Sequence, residues 1–379
     1  MSNTMQYIKL KEINEYKSVS VNPMKTPDEI FEMYSVPIYE AGHPEFLHGS
    51  DIASNKVAVQ KNDVLLCKIN PRINRVWVVG DESEHQNIAS SEWIVVRSKK
   101  YNPEFLAWYF RTPKFRELMV SEVTGIGGSL TRAQPKAVAE YPVPDIPKGQ
   151  QDFIATILNK TDFIIRARRQ QLSGLDTLIK ARFVEMFGDE KNRVRLNDIC
   201  SIITDGTHQP PKFVNEGIPF IFVSNITGDE VTYNAEKFIS EETYNELITR
   251  TPIEQGDIIV STVGSYGHVA VVKSDKKFLF QRHIAYLKPL HEQVDSEYLQ
   301  SALLNDDAQR QIEAEVKGIA QKTLNLSAIK KIEIPVPNMA RQNEFVSFKR
   351  QVDQSKAAVQ KSLDETQLLM DSLMQQYFG

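Results

Sequence analysis

Cysteine is nearly absent from this chain. Two residues in 379, Cys67 and Cys200, exclude a disulfide framework and a structural zinc site, and fit a reducing cytosol. Histidine is scarce as well, with seven residues scattered at no metal-ligand spacing. No apolar run approaches the roughly 18 residues of a membrane span, and the opening MSNTMQYIKLKEI has no apolar signal core. A cytoplasmic protein with no membrane contact is expected. Catalytic signatures are missing too: no G-x-G-x-x-G follows a strand, and neither G-x-x-x-x-G-K-[ST] nor H-E-x-x-H occurs. INPRIN at Ile69 lacks the second proline and the aromatic of the amino-methyltransferase motif, and GSYG at Gly264 is not a nucleophile elbow. The chain is expected to hold no catalytic centre and no metal. A surplus of positive charge is also lacking, the net charge being −4. A protein that grips nucleic acid alone is usually basic overall, so nucleic-acid binding would rest on local patches or on a partner that supplies positive charge.

What is present is a soluble globular composition, 41% hydrophobic and 25% charged, in a chain too long for one ordinary core. It is written twice. EYPVPDIPKGQQDF at Glu140–Phe153 returns as EIPVPNMARQNEF at Glu333–Phe345, roughly 190 residues later. KLKEI at Lys9 is echoed by RLNDI at Arg195, KNDVLLCKIN at Lys61 by QGDIIVSTVG at Gln255, and NPEFLAWYF at Asn102 by DSEYLQSAL at Asp295. GIGGSLTRAQ at Gly125 is echoed by GIAQKTLNLS at Gly318, and FVEMFG ending at Gly188 by LMQQYFG ending at Gly379. Constant order and a nearly constant offset make the chain two copies of one unit.

Each copy opens as a mixed, strand-rich segment. Short β-branched runs such as VLLCKI, RVWVVG, DIIVSTVG and HVAVV are broken by Asn, Pro and Gly. SEYLQSALLNDDAQRQIEAEV has helical spacing, with Ser296 available as N-cap. Each copy closes in a long amphipathic helix. The first apolar stripe is Ile154, Ile157, Ile164, Leu172, Leu175, Ile179, Phe183 and Met186. The second is Phe345, Phe348, Val352, Val359, Leu363, Leu369, Leu373 and Tyr377. About 40 helical residues span roughly 60 Å, longer than such a domain is wide, so the two helices are expected to pair antiparallel under pseudo-two-fold symmetry. The fold class is therefore α+β: two mixed, strand-rich domains joined by two long antiparallel helices as a coiled-coil-like spacer. The expected boundaries are residues 1–146 for the first domain, 147–190 for the central helix, 191–337 for the second domain and 338–379 for the C-terminal helix. The repeated PVP marks the exit from domain to helix, because proline disfavours helix at and before itself.

Polar clusters fall at matching places in both copies: KINPRINR, ASSEW and GIGGSLTRAQ in the first, TDGTHQPPKF, STVGSYGHV, QRH and GIAQKTLN in the second. Gln, Asn, Arg, Lys, Ser and Thr are the side chains that read base edges and hold phosphates, and glycine lets backbone amides approach a phosphate. Ordinary solvated turns account for any one cluster equally well. A shared frame with divergent loop letters is what two related recognition domains for different sequences would show. The candidate DNA contacts are Lys68, Asn70, Arg72, Asn74, Ser129 and Arg132 in the first copy. In the second they are Thr207, His208, Gln209, Lys212, Ser265, Tyr266, Arg282 and Gln321.

With these motifs, nearly the whole chain resembles the specificity subunit of a type I restriction–modification system. The most specific run is DGTHQPP, GDIIVSTVGSYG and QRH in the second copy; the first has no DGTH and resembles another subgroup of recognition domain. The resemblance implies a phage-defence subunit with no catalytic centre, in which each domain binds half of a split double-stranded DNA target. It implies helices that set the gap and dock two methyltransferase subunits, with restriction subunits joining the complex. S-adenosylmethionine, ATP and magnesium would belong to those partners, and none to this chain. A system lacking the restriction subunit is compatible with the same sequence. Two other classes stay open: a coiled-coil adaptor that reads no DNA, and a catalytic DNA-modifying enzyme, against which the missing motifs count.

Overall fold

The structure is a computed structural model that describes residues 6–80, 83–124, 131–318 and 322–379. Two compact units divide the chain. The first comprises Met1–Arg169 with Ser362–Gly379, the second Gln170–Lys361. Each unit thus holds one mixed domain and a stretch of both long helices, Lys148–Phe187 and Met339–Phe378.

Corresponding elements recur in the two units. Strand Tyr7–Lys9 pairs antiparallel with Pro142–Pro144, and Arg193–Arg195 with Glu333–Pro335. The repeated PVP therefore does more than end a domain. In the first copy it forms the short strand that closes the domain on its own beginning; in the second the strand is Glu333–Pro335, with only Pro335 of the motif in it. A proline without N–H is tolerated in such a two-stranded edge. At the centre of the first unit is a sheet of β1 (Val64–Cys67), β2 (Val76–Val78) and β3 (Trp93–Val96), ordered β2-β1-β3. The second unit has β4 (Cys200–Asp205), β5 (Ile258–Ser261), β6 (Val269–Val271) and β7 (Ile284–Pro289), ordered β4-β7-β5-β6. The VLLC and IIVS runs of β1 and β5 are buried on both faces, which explains unbroken apolar letters instead of alternation. Separate sheets complete the domains, Ser20–Val21, Lys56–Ala58, Gln86–Ala89, Ile30–Tyr34 and Glu45–His48 in the first, and Phe213–Val214, Phe238–Ile239, Ile218–Ile221 and Leu279–Phe280 in the second.

Behind each central sheet lies a pair of helices, Pro103–Phe110 with Pro113–Ser121 and Ser296–Leu304 with Asp306–Glu315. Asn102 caps the first pair, its Oδ1 accepting from the N–H of Glu104 at 2.8 Å and Phe105 at 3.1 Å. Asp295, not the expected Ser296, caps the second, accepting from Glu297 at 2.8 Å and Tyr298 at 3.0 Å. Ser296 donates instead to the Gly256 carbonyl. A carboxylate one position earlier reaches both free amides of the first turn, and its charge suits a helix N-terminus.

The long helices bury their stripes inside each unit. In the first, Ile154, Leu158, Ile165, Met370 and Phe378 join the core; in the second, Phe183, Phe187, Phe345 and Val346 do. Phe187 lies 5.1 Å from the Tyr298 ring, and Phe378 lies 5.5 Å from the Phe105 ring. Both phenylalanines end their helices just before a glycine. Two stripe positions differ from expectation: Ile164 and Leu369 are exposed, and Ile165 and Met370 are buried. One residue turns a helix by about 100°, so a stripe that continues from Leu158 by seven reaches 165, not 164.

Candidate nucleic-acid interface

Antiparallel pairing fixes what the second sheet presents. β4 and β5 end where β6 and β7 begin, with Asp205 opposite Ala285, Ser261 opposite Ile284, and Val260 opposite Val269. The segments after β4, between β5 and β6, and before β7 therefore share one rim. Backbone hydrogen bonds stitch them together. Thr207 N–H donates to Phe280 O at 2.9 Å, Arg282 N–H to Thr207 O at 3.1 Å, and Thr262 N–H to His283 O at 2.9 Å. Leu324 N–H then donates to Thr262 O at 2.8 Å and Gly264 N–H to Lys322 O at 3.1 Å. Gly206 is obligatory here: a Cβ would stand 2.2 Å from Phe280 O and 2.5 Å from Gln281 O.

The expected side chains Thr207, His208, Ser265, Tyr266 and Arg282 all lie on this rim. His208 Nε2 is 3.0 Å from Asp205 Oδ2, and Arg250 donates to Asp205 Oδ1 at 2.7 Å, so Asp205 anchors both side chains. Arg282 is exposed, with its Nε 3.4 Å from His283 Nε2. Burial, with the Arg282 charge beside it, holds His283 below the usual imidazole value. Ser265 Oγ is 2.9 Å from His268 Nε2. The Lys322 ammonium sits 5.8 Å over the Tyr266 ring. Gln209 and Lys212 are exposed on the segment that continues to Phe213–Val214. Gln321 lies outside the described residues. Asp205, Arg250, His268 and Lys322 were not singled out from the sequence. The first two are 45 residues apart, a proximity that no local pattern signals.

The first unit builds a matching rim from different letters. Lys68 N–H donates to Glu92 O at 3.0 Å, Ala133 N–H to Lys68 O at 2.9 Å, and Asn70 N–H to Thr131 O at 2.8 Å. These repeat the bonds of Thr262, Leu324 and Gly264. Asn70 and Gly264 also share a left-handed backbone, φ 49° and 74°, as do Asn62 and Gly256, φ 71° and 94°. Asn and Gly are the residues that tolerate that region. Lys68, Asn70, Arg72 and Arg132 sit on the rim. Arg72 Nε donates to Asn70 Oδ1 at 3.3 Å, and Arg132 pairs with Glu92 at 3.2 Å. Asn74 turns inward and donates to Phe110 O at 3.1 Å, holding the loop to a helix end. Ser129 lies outside the described residues. Where the second unit has β4, the first has an irregular run from Asn14, in keeping with its lack of DGTH. Among the described residues no cluster of His, Cys, Asp and Glu could hold a metal ion, and no helix is long and apolar enough to cross a membrane.

Residues 188–366 match the family model described as type I restriction modification DNA specificity domain. The type I restriction enzyme EcoBI specificity subunit of Escherichia coli is 27% identical over 170 residues, which cover 45% of this chain and 36% of that subunit. The match thus spans little more than a third of the relative's length. Among solved structures, the type I restriction–modification S subunit from M. genitalium aligns over 99% of this chain and 96% of its own, at TM-score 0.60 and 13% identity. A chain from work on complex assembly and conformational transition of the type I R-M system aligns over 100% and 98%, at TM-score 0.59 and 19% identity. Residues 188–366 are therefore similar to type I restriction modification DNA specificity domains, and the chain as a whole shares the fold of these solved type I subunits.

Proposed function

We propose that this chain is the non-catalytic DNA-specificity subunit of a type I restriction–modification complex, with each mixed domain reading one half of a split duplex target. The observation that carries this is the pair of matching rims. One backbone frame presents Lys68, Asn70, Arg72 and Arg132 in one unit, and Thr207, His208, Ser265, Tyr266 and Arg282 in the other. These are side chains that contact phosphates and base edges, and their letters differ between units, as the halves of an asymmetric target require.

The long helices would set the distance between half-sites and dock the methyltransferase subunits. Two recognition elements on one face of B-DNA lie about one turn, roughly 34–36 Å, apart, within reach of helices of about 60 Å. S-adenosylmethionine would be bound by the methyltransferase, ATP and magnesium by restriction subunits where the system has them. With a net charge of −4, the chain would hold DNA firmly only within the assembled complex, where partners add positive charge.

A methylome tests this. The chain is co-expressed with the methyltransferase subunit from its own genome in a methylation-free host, and modified adenines are mapped by long-read sequencing. The expected result is a split motif that needs this chain. An assembled complex that adds no motif would overturn the reading.

A further inference from the structure

On the reading that the second unit's rim faces DNA, we propose that Ser265 presents an acceptor-only hydroxyl oxygen to a base, with His268 and Asp229 as the positioning residues that fix that polarity. The feature it takes is an exocyclic amino group, that of adenine or cytosine in the major groove. This deepens the proposed function by giving one rim residue a chemical preference.

A serine hydroxyl can donate or accept, and so contacts either kind of base edge. Here the choice is already made. Ser265 Oγ lies 2.9 Å from His268 Nε2. On the other side of the ring, His268 Nδ1 lies 3.6 Å from Asp229 Oδ1. That carboxylate oxygen is enclosed and accepts no hydrogen bond from any described residue. The attraction favours the ring proton on Nδ1, facing the carboxylate, which leaves Nε2 as an acceptor. Ser265 must then donate its only proton inward, and its remaining lone pairs face out. An amino group satisfies them; a carbonyl or ring nitrogen would meet lone pair with lone pair.

The parts are held in place by structure that the contact itself does not need. Gly228 and Asp229 have φ of 56° and 59°, a two-residue hairpin turn between Ile226–Thr227 and Glu230–Val231. Buried Gln300 clamps that turn to β6, donating to Asp229 O at 2.8 Å and Val269 O at 3.0 Å. His268 N–H donates to buried Ser261 Oγ at 3.0 Å, and Ser261 N–H to His268 O at 2.9 Å. Gln309 holds the other side of the loop through Gly267 O at 3.2 Å. Ser, His and Asp in this order resemble an acyl-transfer relay. At 3.6 Å the carboxylate acts on the ring through its charge and not through the short hydrogen bond of such a relay, so its part here is to bias the tautomer. By the shared backbone frame, Pro71 stands in the first unit where Ser265 stands in the second, so the device belongs to one half-site.

The test uses the full chain assembled with its methyltransferase, and synthetic duplexes carrying the split motif from the methylome. Amino groups are deleted one at a time, purine replacing adenine and 2-pyrimidinone replacing cytosine, and competition binding is measured. For the unaltered complex, deletion at one position of the second unit's half-site should cost about ten-fold beyond its neighbours. In Ser265→Ala that extra loss should vanish. His268→Phe keeps the hydroxyl but frees its proton, so the extra loss should shrink and the substituted base pair should be tolerated. Asp229→Gly, which suits the left-handed backbone, should shift both readouts in the same direction. All three variants should keep the parent melting temperature, which a merely structural role would not predict alongside a one-position change. Additive losses for Ser265→Ala and amino deletion at every position would overturn the contact. An unchanged loss in His268→Phe would overturn the positioning role. Absence of any split motif would overturn the specificity reading itself, and this inference with it.

Discussion

Gln151 and Asn102 are joined by a hydrogen bond of 2.8 Å from the Asn102 backbone N–H to the Gln151 side-chain oxygen, with Gln151 1% exposed. Gln342 and Asp295 repeat it at 2.9 Å, with Gln342 at 0%. Each glutamine stands in the first turns of a long helix and grips the residue that caps its domain's own helix. The side-chain nitrogens are used as well, Gln151 donating to Ile146 O at 2.9 Å and Gln342 to Pro337 O at 2.8 Å. The same amide fastens domain to helix in both copies.

Replacing either glutamine by leucine should therefore cost about 1–3 kcal/mol, because it strands a buried N–H and a buried carbonyl without partners. Urea denaturation of the two single variants measures it. Equal, large losses would match the shared geometry, and a loss within about 0.5 kcal/mol would show that water satisfies these groups.

Gly206→Ala should damage the second rim specifically. The added methyl would overlap Phe280 O and Gln281 O, both backbone atoms, so the strand-end segments must separate. The expected cost is roughly 1–3 kcal/mol. In the assembled complex, the half-site read by the second unit should degrade while the first stays intact. A methylome with both half-sites unchanged would mean that the loop yields without consequence.

How legible this was from sequence depends on the distance over which each feature is decided. The repeat, the long helices and the PVP joints between domain and helix are local patterns, and Phe187 and Phe378 mark the helix ends with the same letters. The strands formed at those joints depend on distant partners and were not read. The left-handed Asn62 and Gly256 were hidden inside an aligned pair, since two residue types satisfy one backbone demand. The stripe slipped by one at Ile164 and Leu369, where two apolar neighbours in a row offer equal choices and only packing decides. The Asp205–Arg250 and Asp229–His268 pairs carry no sequence signal, because each joins segments whose proximity comes from sheet order.

Arg282→Ala offers a sharper probe of the rim. Arg282 is exposed, its backbone is pinned to Thr207, and its Nε lies 3.4 Å from His283 Nε2. Stability should change by less than about 0.5 kcal/mol. If Arg282 reads a base, affinity should fall by about 1–3 kcal/mol and one target position should relax; if it holds a phosphate, all sequences should weaken alike and the salt dependence should flatten. Unchanged affinity and unchanged target would remove this strand end from the interface.

Cys200 supplies a pH prediction with a definite sign. It is buried at 7% exposure in the second core, and burial, helped by the Asp257 charge, raises its thiol from an ordinary value near 9 to about 12. Between those values the unfolded chain loses the proton and the folded chain keeps it. The folded state then binds more protons, so stability falls as pH rises. The stabilising contribution is complete below about pH 9, and one thiol should remove about 1 kcal/mol between pH 9 and 10. Buried tyrosines whose hydroxyls burial also raises, Tyr101, Tyr109, Tyr286 and Tyr298, begin to add to the loss in the same window, so the thiol's share is read from the difference between the parent and Cys200→Ala. Cys67 is raised by burial in the first unit and contributes with the same sign. Urea denaturation at pH 8, 9 and 10 should show the decline in the parent and a flatter one in Cys200→Ala. A thiol reagent should label neither cysteine until the chain unfolds. Fast labelling of Cys200 in the native protein, or an alkaline slope unchanged in Cys200→Ala, would contradict a sealed second core.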